Sequence, residues 1–153
     1  MSQSQIHNFQ QLFPGPYSIQ PGTNGVDATF DIYCQTTGEH IISTDYWYEE
    51  ERAQRDAAVI AIALETMRHA PRRPAVAECL QLKLDAFQAE YPAPYESSAI
   101  AHDGWVQTGI RDIGNEYFIV SLASGAEDEK AELVTGYIAR ALNNLFQYVI
   151  ATS

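Results

Sequence analysis

The chain has 153 residues, and its 9 lysines and arginines against 20 aspartates and glutamates give a net charge of −11 with neutral histidines. Hydrophobic residues make up 46%, too many for a disordered acidic tail and enough for a core that needs no disulfide or metal staple. No apolar run is long enough for a membrane span, the start lacks the pattern of a signal peptide, and Cys34 and Cys79 offer neither a disulfide framework nor a metal-ligand spacing, so a soluble, intracellular folded protein is expected.

In chain order, Ile6, Phe9 and Phe13 follow helical spacing, and Pro14-Gly15-Pro16 ends that helix. A short extended piece at Tyr17–Gln20 leads to the turn residues Pro21-Gly22-Thr23-Asn24-Gly25. Val26, Ala28, Phe30, Ile32 and Cys34 alternate with polar residues, the pattern of a half-buried strand. Thr36-Thr37-Gly38 reads as a hairpin loop, His40–Tyr46 as a third strand, and about Tyr48 to His69 as a helix. Leu80, Leu84, Phe87 and Tyr91 then line a second short helix ending at Pro92-Ala93-Pro94. Strands are predicted near Tyr95–Ala101, Trp105–Arg111 and Glu116–Ala123. Ser124 is placed to cap a last helix with a continuous apolar stripe from Leu133 to Ile150.

The second set of elements repeats the first. Phe9 to Tyr17 (FQQLFPGPY) aligns with Phe87 to Tyr95 (FQAEYPAPY) at an offset of 78, with five identities in nine positions. Glu49 to Leu64 aligns with Glu127 to Leu142 at the same offset, with seven identities in sixteen, where average residue usage gives roughly one by chance. Gly114 stands only 76 residues after Gly38, which predicts two residues gained before the last helix. The expected fold class is α+β, with two α-β-β-β-α units at 1–75 and 76–153. Each is a three-stranded antiparallel sheet covered by two helices.

The order α-β-β-β-α in about 75 residues resembles the double-stranded-RNA-binding domain. So do Pro14/Pro16-Tyr17, Phe30, Gly38 and the alanines from Ala53 to Ala63 in the first half, and Pro94-Tyr95, Gly114 and Ala131 to Ala141 in the second. These are core and turn positions, so the resemblance implies a fold more than an activity. RNA-binding members of that family carry a KKxAK-type stretch at the start of the last helix. This chain has Glu49-Glu50-Glu51-Arg52-Ala53 and Glu127-Asp128-Glu129-Lys130-Ala131 there, so the charge is inverted in both copies. Lysine and arginine neutralise phosphates in most non-specific nucleic-acid binding, so these carboxylates argue against canonical dsRNA binding.

The function expected is a non-catalytic protein–protein interaction module: an adaptor, or a nucleic-acid-mimicking inhibitor of the kind encoded by phages and plasmids. Its binding residues would be Tyr46, Trp47, Tyr48, Glu49, Glu50 and Glu51 with Glu127, Asp128 and Glu129, and its partner a protein with a basic groove. The apolar stripe of the last helix would be buried between the halves or in a homodimer. Two other readings stand beside this one. A nucleic-acid binder would use a non-standard face containing Arg68, Arg72, Arg73, His102 and Arg111, and a small-ligand binder or enzyme would place a pocket between the units near Tyr46, Trp47 and Trp105. No nucleophile, metal or phosphate-loop motif occurs, so no enzyme, cofactor or metal is expected.

Overall fold

The computed structural model describes residues 2–22, 28–46, 49–69, 77–114, 117–124 and 129–152. Its elements are α1 (Gln3–Leu12), β1 (Tyr17–Pro21), β2 (Ala28–Cys34), β3 (His40–Tyr46), α2 (Glu50–Arg68), α3 (Glu78–Glu90), β4 (Tyr95–His102), β5 (Trp105–Asp112), β6 (Val120–Ser124) and α4 (Glu129–Thr152). The protein is therefore α+β, and its described residues form four helices and two three-stranded antiparallel sheets of order β1-β2-β3 and β4-β5-β6. No helix among the described residues is long and apolar enough to cross a membrane.

Each element follows from local chemistry. Ser2 caps α1 through a capping box, its Oγ accepting from the Gln5 amide at 3.2 Å while Gln5 Oε1 accepts from the Ser2 amide at 2.8 Å. Phe30, Ile32 and Cys34 alternate inward along β2 and are buried. Gly38 turns the β2–β3 hairpin at φ +73°. Gly15, at φ +79°, is needed twice over. A side chain there would be strained, and its Cβ would lie 2.7 Å from the Arg68 side chain as it crosses to the Pro14 carbonyl.

The same bonds recur 78 residues apart. Tyr17 pairs with Cys34 and Tyr95 with Asp112; Ile32 pairs with Ile42 and Ile110 with Val120. The Tyr17 hydroxyl donates to the Phe13 carbonyl at 2.8 Å, and that of Tyr95 to the Tyr91 carbonyl at 2.5 Å. The Tyr17 amide donates to Glu65 at 3.0 Å, and the Tyr95 amide to Asn143 at 2.7 Å. The prediction of two gained residues is corrected by this register, because Ile110 and Val120 stand opposite each other just as Ile32 and Ile42 do. Gly114 is the counterpart of Thr36, so it marked the turn but not its register, and the counterpart of Gly38 lies outside the described residues.

The helices meet the sheets unevenly. α2 covers β1, β2 and β3, and α4 covers β4, β5 and β6, while the two long helices also pack on each other. The short helices cross over: α1 lies chiefly against α4, and α3 against α2. Phe9 stacks on Tyr137 with ring centroids 3.8 Å apart, and Gln10 Nε2 donates to the Tyr137 hydroxyl at 3.0 Å. One hydrophobic cluster therefore runs through both halves, from Phe9 and Ile32 to Ile110 and Phe146. The two-helix cover expected for each sheet is corrected: each sheet is covered chiefly by its own long helix, and each short helix packs on the long helix of the other half. The stripe of α4 is buried within the chain through Leu145 and Phe146.

Candidate partner-binding groove

Glu49, Glu50 and Glu51 open α2, where the unpaired amides and the helix dipole favour negative charge. Because α3 packs on α2, its residues Leu82, Lys83 and Ala86 form an opposite wall, and the groove between them has a volume of about 910 Å³. Leu82 is 65% exposed, an apolar side chain that the described residues leave largely uncovered. Glu50 and Glu51 make no ion pair among the described residues.

The arginines of the same groove are already held. Arg55 donates through Nε to Asp56 Oδ1 at 2.9 Å and through Nη2 to Glu90. Arg52 reaches Glu90 at 2.6 Å, Glu49 at 3.1 Å and the Tyr91 hydroxyl at 2.8 Å. The Tyr91 hydroxyl in turn donates to Asp56 Oδ2 at 3.2 Å. Asp56 is fully buried, so its charge depends on these partners. Burial works against the charge of Arg55, yet its bond to Glu90 and the charge of Asp56 raise its pKa above the ordinary arginine value. Around this groove five carboxylates (Glu49, Glu50, Glu51, Asp56, Glu90) outnumber three cations (Arg52, Arg55, Lys83), and the excess sits at Glu50 and Glu51.

The corresponding seam, where α1 meets α4, keeps the backbone arrangement and changes the chemistry. Lys130 stands in the place of Arg52, Leu133 of Arg55, Val134 of Asp56 and Phe13 of Tyr91. Lys130 Nζ lies 5.7 Å from the Phe13 ring centre, as the Arg52 guanidinium lies 5.7 Å from that of Tyr91.

The other predicted residues are dispersed. Tyr46 ends β3; Trp47, Tyr48, Glu127 and Asp128 lie outside the described residues, and Glu129 opens α4, exposed. Arg68 is engaged by the Pro14 carbonyl at 2.7 Å and by Glu65 at 3.0 Å. Arg111 pairs with Glu96, its neighbour across the strands, at 2.9 Å. His102 stacks on Trp105 at the tip of the β4–β5 hairpin, with centroids 4.2 Å apart, so Trp105 sits at a hairpin tip. Arg72 and Arg73 lie outside the described residues. The structure thus gathers Glu49–Glu51 into a groove and leaves Arg68, His102 and Arg111 on separate sites, two of them already ion-paired.

Two clusters escaped the sequence reading. One is the Asp56 network. The other lies on the helix-free face of the first sheet, where Ser43 Oγ donates to Asp31 at 2.5 Å and meets His40 Nε2 at 2.7 Å. These are the residue types of a hydrolytic triad, but Asp31 approaches the same ring nitrogen of His40, at 3.9 Å. Among the described residues no histidine–aspartate bond through the other nitrogen orients the ring as a base. Cross-strand register brings Asp31 opposite Ser43, which follows His40 by three residues on β3, and no linear motif announces the grouping. The chain matches no protein-family model, no curated protein and no solved structure.

Proposed function

We propose that this protein is a non-catalytic protein-binding module whose groove at the start of α2 receives a basic surface of a partner protein. The observation that carries this is the groove itself: among the described residues Glu50 and Glu51 stand unpaired beside the exposed Leu82, while the nearby arginines are neutralised by Asp56 and Glu90. Unpaired carboxylates next to an uncovered apolar side chain suit a protein surface with lysines or arginines around an apolar spot. A net charge of −11 would speed that association and repel nucleic acid. The accompanying reading of the fold is a pair of α-β-β-β-α units similar to double-stranded-RNA-binding domains, at 1–75 and 76–153, with glutamate in place of lysine at the RNA-contacting helix starts. An adaptor in a nucleic-acid-processing complex and an inhibitor that imitates nucleic-acid charge are the two forms this function takes.

The test has two arms. In an electrophoretic shift at low salt, native protein should leave short dsRNA unshifted, and Glu49→Lys/Glu50→Lys/Glu51→Lys should gain salt-sensitive binding. Tight, salt-sensitive binding by native protein would sink the proposal. A photo-crosslinker at position 82 should capture a basic protein in the native host, and Glu50→Lys/Glu51→Lys should abolish that capture while Glu78→Lys leaves it intact.

A further inference from the structure

The two sheets end in equivalent edge strands that are finished differently. Across β1–β2 the inward bonds include Gln35 amide to Pro16 carbonyl and Gly22 amide to Thr29 carbonyl, so Tyr17, Ile19 and Pro21 turn their main-chain groups outward. That outward row is blocked at both ends, because the Tyr17 amide is capped by Glu65 and Pro21 has no N–H, which leaves only the Ile19 amide outward-facing without a cap among the described residues. Across β4–β5 the Ile113 amide donates to the Pro94 carbonyl, so the outward row is Tyr95, Ser97, Ala99 and Ala101. Asn143 satisfies both main-chain groups of Tyr95, at 2.7 and 2.9 Å. The next three residues have no such cap among the described residues, no proline, no bulge and no charge, and all three are exposed. They present three N–H and three C=O groups to one side, the template for an added strand.

A slot accompanies the open row. In the first half Ile19 and Phe30 pack into or against the core, with Ala58 on the long helix. Their counterparts are Ser97, Thr108 and Gly136, and the space they leave is a cavity of about 320 Å³ between β4 and α4, with Gln5 and Glu132 on its rim. A side chain from a strand laid on β4 would enter here. The lining is hydroxyl-rich, and the Glu132 carboxylate makes no ion pair among the described residues, so a lysine or arginine is the complement. We infer that the β4 edge binds an extended peptide segment of a partner protein by strand addition, with a basic side chain seated in the slot beside Glu132. This surface is independent of the groove at the start of α2.

The probe is a fluorescein-labelled peptide of about six residues alternating lysine with valine, followed by anisotropy. Native protein should bind it. A peptide N-methylated on alternate amides, and one with aspartate for lysine, should each bind roughly tenfold or more weakly. Ala99→Pro, which copies Pro21, and Ser97→Ile/Thr108→Phe, which copies the filled first half, should show the same loss with circular dichroism unchanged. Glu49→Lys/Glu50→Lys/Glu51→Lys should leave this binding in place, so failure at one surface is not failure at the other. Equal binding of the N-methylated peptide would overturn strand addition without reliance on any variant, as would absence of binding by native protein. Sedimentation showing a dimer that Ala99→Pro dissociates would give the edge to a second copy and overturn the peptide occupant.

Discussion

At the seam of α2 with α3 a buried carboxylate, two arginines and a tyrosine hydroxyl form one network, while at the seam of α4 with α1 valine, leucine and phenylalanine occupy the same places. The pairing of elements does not distinguish them, since α3 packs on α2 as α1 packs on α4. Burying Asp56 carries a desolvation cost that Val134 avoids, so the ionic version is no requirement of the fold. What it adds is a fixed arrangement of Arg52 and Arg55 on the α2 wall, held to Glu90 of α3, which leaves Glu50 and Glu51 without an ion pair among the described residues. The comparison teaches that the apolar seam supplies stability, whereas the polar one spends some of it on a surface.

The largest effect should come from breaking the polar seam halfway. Arg55→Leu, which copies Leu133, leaves Asp56 buried against the Tyr91 hydroxyl and should cost about 3–5 kcal/mol in urea unfolding. Adding Asp56→Val, which completes the copy, should restore most of it. If the double change is as damaging as the single one, the two seams are not interchangeable. Tyr91→Phe, the residue of the other seam, removes the hydroxyl that bridges Arg52 to Asp56 and should cost about 1–3 kcal/mol, with no comparable loss from any change at Lys130. The smallest effect at neutral pH marks where the two regions agree. Burial, with the charge of Glu65 for Tyr17 and of Asp112 for Tyr95, raises both phenol pKa values well above the ordinary range. The folded state then keeps protons that the unfolded chain releases, so stability is intact below about pH 10 and falls above it, by up to about 1.4 kcal/mol per pH unit per tyrosine. The alkaline loss of stability should be smaller by about the same amount in Tyr17→Phe and Tyr95→Phe, once each is referred to its own stability at pH 7.

Much of the architecture was legible because it is local. Alternation at Phe30, Ile32 and Cys34 gave a strand, prolines ended the short helices, and the offset of 78 gave matching elements. The exchange of α1 and α3 between long helices was not legible, since periodicity says which face of a helix is apolar and not which helix covers it. Asp56 was legible in principle. It lies in phase with Ala53, Ile60 and Ala63 on the buried face of α2, a charge where the pattern calls for an apolar residue. The groove was half visible: Glu49–Glu51 stood out by charge, but Leu82 and Lys83 join them only through tertiary packing. The open edge was written in the alignment, where Ala99 stands 78 residues after Pro21, yet its meaning depends on which residues turn outward.

The crossing of the short helices also sets a timetable for biosynthesis. Phe9 and Gln10 rest on Tyr137, a partner 127 residues beyond Gln10. At about 5–20 residues per second, translation takes roughly 6–25 seconds to supply it. Until then the face of α1 that carries Phe9 and Phe13 has no α4 to cover it, and the nascent chain holds two aromatic rings open to solvent or to whatever chaperone finds them first.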